Sequence, residues 1–258
     1  MPRYALALEY HGGAFVGWQR QAVGLSVQQI LEEAASHLVG GAHVPSITAG
    51  RTDAGVHASG QVASIDLDRI ITPDKLRDAL NFHMRPHRIA VLRAALAPEG
   101  WNPRFSATGR AYRYVILNRR VRPALDEGRV WHVQNPLDAE AMQHGAQFLL
   151  GRHDFTSFRA TACQAKSPLR TLDRLEVRRD GDLIVIETAA RSFLHHMVRN
   201  IAGTLKLVGD GTWPPTRVAE ALAARHRTAA GPTAPPEGLT LVGVRYPEDP
   251  FMKEAVLF

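Results

Sequence analysis

The order of predicted elements is the same in both halves of the chain, and this repeat restricts the folds that are available. In the first half, alternating apolar residues predict a strand at Arg3–Tyr10, and a helical pattern begins after Ser26, a favourable N-cap residue. Two strands follow, then a helix that opens at Pro73 and a strand at Ile89–Leu96. The order is therefore strand, helix, strand, strand, helix, strand.

The second half has longer elements in the same order. A strand at Tyr112–Leu117 precedes a predicted helix at Leu137–Leu150, and Asp180 with Gly181 marks the turn of a hairpin. The spacing of apolar residues predicts a helix over Phe193–Val208, and a final strand ends this half.

Two α+β lobes of ferredoxin-like or RRM-like type account for this order, and we expect them to share a largely antiparallel sheet. The expected N-terminal lobe is residues 1–103, which include an acidic turn at Asp53. The expected C-terminal lobe is residues 104–258.

Composition indicates which class of molecule the protein binds and in which cellular compartment it works. Lys and Arg outnumber Asp and Glu by 31 to 25, which gives a formal charge of +6 and a pI near 9.9. Such a chain favours a polyanionic partner, with nucleic acid first and an anionic membrane surface second. Cys163 is the single cysteine, which excludes an intrachain disulfide and a cysteine-based zinc site. No apolar run is typical of a signal peptide or a bilayer span, so we expect a soluble cytoplasmic protein.

Arginine and tyrosine are interleaved in a segment without acidic residues, Gly100–Leu125. Guanidinium groups pair with phosphates and aromatic rings stack on exposed bases, so this segment suits RNA. A solvated basic strand edge that discourages aggregation has the same composition, and this alternative stays open. The arginines of the segment are Arg104, Arg110, Arg113, Arg119, Arg120 and Arg122, with Tyr112 and Tyr114 among them.

A second basic surface is predicted on the helix Phe193–Val208. At about 100° per residue, His195, Arg199 and Lys206 fall on one flank of its apolar stripe. Such a flank can border a cleft, but it is also typical of any exposed helix face. His195 and the adjacent His196 have no cysteine or carboxylate at ligand spacing, which favours an RNA-facing or structural role over a metal site.

The segment with the clearest chemical potential is Ala49–Ala58, where a turn follows a predicted strand. Asp53 lies two residues after Arg51, and a carboxylate presented at a cleft can act as nucleophile or base. A neighbouring guanidinium would keep it ionised and oriented. An aspartate in such a turn more often only forms the turn, so the turn alone does not establish chemistry.

The octamer Gly50–His57 closely resembles the signature of the tRNA pseudouridine synthase A family. Six further segments resemble family segments in family order, and together they cover nearly the whole chain. They are Gly17–Gln21, Arg104–Ala107, Tyr112–Tyr114, His153–Arg159, Phe193–Asn200 and Ala234–Leu239.

The resemblance implies a role for each matching residue. Asp53 matches the catalytic aspartate, the nucleophile that attacks the uracil ring or the ribose C1′. Arg51 matches the residue that helps to extrude the target nucleotide and takes its place. Tyr112 matches the ring that stacks on the uracil, and Arg199 matches the arginine that pairs with the catalytic carboxylate.

The glycine-punctuated loop with Gln19 and Arg20 lines the RNA cleft in the family, so these residues join Arg104, Arg113 and His195 as candidate substrate-binding residues. Two departures from the family pattern concern RNA contacts. His11 stands where the family usually has aspartate, and Trp101–Pro103 replaces the usual Phe-His-Ala.

The implied activity is the isomerisation of uridine to pseudouridine at positions 38, 39 and 40 of the tRNA anticodon stem-loop. The resemblance also implies a central RNA-binding cleft, a homodimer, and chemistry that needs no metal and no organic cofactor.

Three rival readings belong to other classes. A non-catalytic RNA-binding module and a degenerate homologue that acts as an RNA chaperone would keep the tyrosines and the basic strands. Neither needs a carboxylate facing polyanionic RNA. A metal-dependent nuclease or phosphatase is disfavoured because the next carboxylates after Asp53, Asp66 and Asp68, lie on the following strand.

Overall fold

Tertiary contacts divide the chain into two units in the computed structural model, which describes residues 1–252. The first unit contains residues 1–108 together with the segment that starts at Leu241, and the second contains residues 109–240. The division differs from the expected lobes, 1–103 and 104–258, because the C-terminal segment packs in the first unit. The Tyr246 hydroxyl donates to the Pro103 carbonyl at 2.8 Å, and its ring centroid lies 5.2 Å from that of Trp101.

Each unit contains both strands and helices, and in places several strands follow one another along the chain. The strands are β1 (Arg3–Tyr10), β2 (Ser46–Thr48), β3 (His57–Asp66), β4 (Ile89–Leu96), β5 (Gly109–Asn118), β6 (Trp131–Val133), β7 (Gly151–Asp154), β8 (Leu169–Asp180), β9 (Leu183–Ala190) and β10 (Leu239–Arg245). The α-helices are α1 (Val27–His37), α2 (Pro73–His83), α3 (Ala139–Gln147), α4 (Met197–Gly209) and α5 (Arg217–Ala223). Within residues 1–252, we find no helix with the length and apolar character that a bilayer crossing requires.

The first unit is built on the strand order β4–β1–β3, with β2 also paired to β3. β1 is antiparallel to both neighbours, so that Leu6 lies opposite Ala63 on β3 and Ala94 on β4. α2 packs on β4, and α1 contacts α2 and β2. Leu31 and Leu80, one from each helix, are fully buried. This βαββαβ arrangement is the ferredoxin-like order predicted for the first half.

The second unit has the strand order β5–β9–β8–β7, in which every neighbouring pair is antiparallel. β6 adds to β5 in parallel. α3 packs against β8 and α4, and α4 also contacts β5. Tyr114 and Ile186 lie opposite each other on β5 and β9, and both are fully buried. The predicted α+β class with largely antiparallel strands is confirmed.

Two helix boundaries correct the sequence prediction. The helix predicted from Phe193 begins at Met197, because His196 adopts a left-handed backbone conformation with φ 61°. The helix predicted from Leu137 begins at Ala139, because the carboxylate of Asp138 caps it. The short strands β6 and β7 were not predicted.

The N-caps of α1 and α2 give a matched pair of stability variants. The Ser26 hydroxyl accepts a hydrogen bond from the Gln29 amide at 3.1 Å. Thr72 holds the same position before α2, but within the described residues its side chain makes no capping hydrogen bond. We expect Ser26→Ala to lower the free energy of unfolding by about 1 kcal/mol in urea titrations. Thr72→Ala should change it by less than about 0.5 kcal/mol, and equal losses would contradict the capping assignment.

Candidate active site

Asp53 lies in a turn between β2 and β3 of the first unit, and residues 50–56 are named the Asp53 turn. Thr52 is only 6% exposed, whereas Arg51 is exposed and Asp53 is half-buried. Thr52 is therefore packed into the interior of the first unit, while Arg51 faces solvent and Asp53 is partly accessible. The Val56 amide donates to the Asp53 carbonyl at 3.2 Å and closes the turn.

The loop after β1, residues 11–26, holds the Asp53 turn by backbone hydrogen bonds. The Trp18 amide donates to the Thr52 carbonyl at 3.0 Å. The Gly55 amide donates to the Phe15 carbonyl at 3.3 Å. Backbone hydrogen bonds thus hold the turn both before Asp53, at Thr52, and after it, at Gly55.

Two glycines make this close approach possible. A Cβ atom on Gly12 would lie 2.1 Å from the Val56 carbonyl oxygen, and one on Gly17 would lie 2.7 Å from that of Thr52. Gly17 also has φ +110°, which is unfavourable for residues with a Cβ. The glycine pattern of this loop therefore reflects backbone packing against the Asp53 turn.

His57 joins the same two segments through its side chain. The Gly12 amide donates to His57 Nδ1 at 2.9 Å, so the neutral ring carries its proton on Nε2. His57 is buried, and the ring of His11 lies edge-on with a centroid distance of 4.5 Å. The departure from the family pattern at His11 thus falls beside the segment that carries Asp53.

Gln19 and Arg20 are exposed at the middle of this loop. The Arg20 amide donates to the Gln28 side chain at 3.1 Å. Its guanidinium lies 3.6 Å from the buried carboxylate of Glu32 and 3.8 Å from Glu33. Carboxylates from α1 therefore orient the Arg20 side chain.

Arg104 lies next to an exposed aromatic ring in the first unit. The Arg104 guanidinium is 5.6 Å from the ring centroid of Phe105, which is 77% exposed. The Asn102 side chain accepts hydrogen bonds from both backbone amides and fixes the local turn. A cation and a ring side by side can contact phosphate and base together.

Tyr112 lies on β5 in the second unit, opposite Thr188 on β9. It is half-buried, and the Phe193 ring meets it edge to face, with a centroid distance of 5.1 Å and an interplanar angle of 87°. This contact restrains the orientation of the Tyr112 ring.

Arg113 is on the opposite face of β5 from Tyr112, because side chains alternate along a strand. Its guanidinium donates to Glu187 at 2.8 and 3.0 Å. The other oxygen of Glu187 accepts from Arg174 at 2.8 Å. The structure therefore does not bring Arg113 together with the Tyr112 ring.

Arg199 lies in the first turn of α4 in the second unit, and His195 lies two residues before that helix. Arg199 is half-buried, and its Nε donates to the Ala234 carbonyl at 2.8 Å. His195 is exposed and precedes the helix, so the predicted flank of His195, Arg199 and Lys206 on one helix is wrong. Lys206 is bonded to Asp210 at 2.6 Å.

The sequence matches the profile of a family described as tRNA pseudouridine synthase over residues 6–106 and 146–247. The chain belongs to this family. The chain is also similar to three proteins named tRNA pseudouridine synthase A, and the similarity extends over nearly the full length of each. The one from Acidiphilium cryptum is 68% identical over 252 residues, which are 97% of this chain and 99% of its own. Those from Gluconobacter oxydans and Paramagnetospirillum magneticum are 57% and 59% identical, covering 96% and 95% of this chain and 91% and 96% of their own.

Family membership confirms the predicted resemblance and the enzyme class. The family isomerises uridine to pseudouridine in tRNA, so the chain is an isomerase. The individual roles of Asp53, Arg51, Tyr112 and Arg199 stay predictions. In the sequence, Phe193 stands at the start of a predicted helix and of a family segment, and neither pattern predicts its contact with the Tyr112 ring.

The edge-to-face contact predicts an effect of Phe193→Leu on turnover. Aromatic pairs contribute beyond burial, so we expect the rate of pseudouridine formation at saturating tRNA to fall by about 2- to 10-fold. Phe148→Leu, at the end of α3 in the same unit, serves as the control and should keep the wild-type rate. Equal rates in both variants would show that the contact does not orient Tyr112.

Proposed function

We propose that this chain isomerises uridines 38, 39 and 40 of the tRNA anticodon stem-loop, with Asp53 as the nucleophile. The observation that supports this proposal is the Asp53 turn, in which Thr52 is buried while Asp53 is half-buried and therefore partly accessible. A carboxylate held in this way can attack a substrate without a large rearrangement of its own backbone.

The reaction exchanges one glycosidic bond for another. A carboxylate oxygen of Asp53 attacks either the uracil ring or the ribose C1′, and the bond between N1 and C1′ breaks. The base turns so that C5 faces C1′, the new carbon–carbon bond forms, and the bond between Asp53 and the substrate breaks, which restores the carboxylate. C5 then loses its hydrogen as a proton and N1 takes one up. Because atoms and electrons balance within the nucleotide and one proton exchange, we propose no metal and no organic cofactor.

The target uridine must leave the helical stack before the carboxylate can reach it. Unstacking costs a few kcal/mol, which protein groups have to offset. We propose that Arg51, exposed beside Asp53, fills the place of the extruded nucleotide. We propose that Tyr112, oriented by Phe193, stacks on the free base. Arg199 keeps its predicted role as partner of the catalytic carboxylate.

RNA binding rests on exposed polar and basic residues. We propose that Gln19, Arg20, Arg104 and His195 contact the stem-loop, and the formal charge of +6 supports a polyanionic partner. Arg113 is left out of this set because Glu187 pairs with it on the face opposite Tyr112. We also propose that the enzyme works in the cytoplasm as a homodimer, the commonest symmetric assembly.

The test uses anticodon stem-loop transcripts labelled with tritium at uridine C5. Each transcript keeps one uridine, at position 38, 39 or 40, and has cytidine at the other two positions. We expect tritium release from all three and none from a control with cytidine at every one of these positions. Binding without release would make the chain an RNA-binding homologue, and release that a chelator abolishes would favour a metal-dependent reaction.

Salt dependence tests the proposed RNA surface. Each duplex phosphate contact releases counterions, so log Kd should change with log salt at a slope of about 0.9 per contact. We expect Arg104→Gln to reduce this slope by about one contact. Arg178→Gln, which removes an arginine paired with Asp180, is the control and should leave the slope unchanged. A salt-independent wild-type Kd would contradict the proposal.

A further inference from the structure

Three polar side chains form a buried hydrogen-bonded chain beneath the Asp53 turn. Tyr10 Oη and Thr52 Oγ1 share a hydrogen bond of 2.8 Å. The side-chain amide of Gln61 donates to Tyr10 Oη at 3.3 Å and to the Gly50 carbonyl at 2.8 Å. Tyr10 is 4% exposed and Gln61 is fully buried. These hydrogen bonds therefore link the end of β1 and the middle of β3 to two points of the Asp53 turn.

The two anchored points lie on either side of Arg51 and immediately before Asp53. One is the carbonyl of Gly50 and the other is the side chain of Thr52. Gln61 Oε1 accepts from the Val62 amide at 3.1 Å, so only one orientation of its amide satisfies these bonds. The bond to the Val62 amide therefore fixes the Gln61 side chain on β3. Its bond to the Gly50 carbonyl in turn restrains the Asp53 turn.

The Tyr10 ring is held from a second direction. Its centroid lies 6.4 Å from that of Phe15 and 6.3 Å from that of Trp18. Both residues belong to the loop after β1, whose backbone also bonds to the Asp53 turn. Tyr10 thus contacts the loop with its ring and the turn with its hydroxyl.

The Tyr10 hydroxyl is the group that joins Thr52 to Gln61. Phenylalanine would bury the same ring but would remove this hydrogen-bonding group from both neighbours. Burial raises the pKa of Tyr10 to about 12, although the hydrogen bonds with Thr52 and Gln61 lower it. The hydroxyl is therefore neutral at physiological pH and serves as a hydrogen-bonding group. Buried polar chains of this kind fix one arrangement when all members are satisfied.

We propose that Tyr10 and Gln61 are positioning residues for Asp53, acting through the Thr52 side chain and the Gly50 carbonyl. The inference rests on the proposed function, since it assigns Asp53 to the reaction. Loss of the Tyr10 hydroxyl frees the Thr52 side chain, and the backbone that carries Asp53 then samples other positions. Misplacement of a reacting group by about 1 Å can cost about 100-fold in rate.

The test compares Tyr10→Phe with Tyr4→Phe. Both tyrosines are buried on β1, and the Tyr4 hydroxyl likewise has two partners, the Ile71 carbonyl at 2.9 Å and the Ile71 amide at 2.8 Å. Each variant removes one hydroxyl and keeps the ring. We expect similar losses in thermal midpoint for both variants. The single-turnover rate of tritium release should fall by about 10- to 100-fold in Tyr10→Phe only, with the Kd for tRNA within about 2-fold of wild type.

Thr52 supplies an independent pair of variants in case Tyr10→Phe fails to fold. Thr52→Val keeps the shape of the side chain and removes the hydroxyl, and should lower the rate as Tyr10→Phe does. Thr52→Ser restores a hydroxyl and should recover most of the rate. A double variant of Tyr10→Phe with Thr52→Val should be no slower than Tyr10→Phe alone, because the bond between Tyr10 and Thr52 is already lost in that single variant.

The outcomes separate this inference from the proposed function. Wild-type release with an unchanged rate in Tyr10→Phe would overturn the positioning role and leave the proposed function intact. Rate losses of equal size in Tyr4→Phe and Tyr10→Phe would also overturn it, because they would show a general effect of stability. If the wild type bound tRNA without releasing tritium, the proposed function would fail and the positioning role with it.

Discussion

The site in the first unit depends on the contact between two backbone segments, the loop after β1 and the Asp53 turn. Their hydrogen bonds run from the Trp18 amide to the Thr52 carbonyl and from the Gly55 amide to the Phe15 carbonyl. Backbone groups can meet this closely only where Cβ atoms are absent, which explains Gly12 and Gly17. Main-chain contacts therefore support the Asp53 turn, and the buried side chains of Tyr10, Thr52 and Gln61 add to that support.

Around the Asp53 turn, buried residues support the backbone, and more accessible residues are the ones proposed to contact RNA. Tyr10, Thr52 and Gln61 are buried, and the Tyr10 hydroxyl is hydrogen-bonded to both of the other side chains, while Arg51 is exposed and Asp53 is half-buried. The same division occurs in the second unit, where Phe193 restrains the Tyr112 ring on β5. In each unit, the residue proposed to meet RNA is held by a neighbour that need not touch RNA. Such support reduces the motion that a reacting group must lose on the way to the transition state.

Local signals made much of the fold predictable. The bounds of β1 and β4 and the starts of α1 and α2 agree with the sequence prediction, because strand alternation, the Ser26 cap and Pro73 act over a few residues. The start of α4 was missed because apolar spacing continues through Phe193, and nothing in that spacing marks the left-handed backbone of His196. β6 and β7 have three and four residues, and their strand character depends on the neighbours with which they pair.

The candidate site also has features that the sequence predicts and features that it does not. The octamer around Asp53 was recognisable, since its residues are contiguous. The bond between Tyr10 and Gln61 joins residues 51 positions apart, and no pattern in the sequence predicts it. The separation of Arg113 from Tyr112 was predictable in principle, because consecutive strand residues face opposite sides. Arg113 and Tyr112 were both predicted to bind RNA as parts of one basic segment. On β5 the two side chains lie on opposite faces of the sheet, so the segment has two surfaces.

The nucleophile is the central claim, and single-turnover tritium release with Asp53→Asn tests it most directly. Wild type, Asp53→Asn and the exposed control Asp68→Asn would be compared on the same C5-labelled tRNA, with binding measured in parallel. We expect Asp53→Asn to bind tRNA as wild type does and to release no tritium, while Asp68→Asn should keep both properties. Tritium release by Asp53→Asn at the wild-type rate would contradict it and would reduce Asp53 to a residue that shapes the turn.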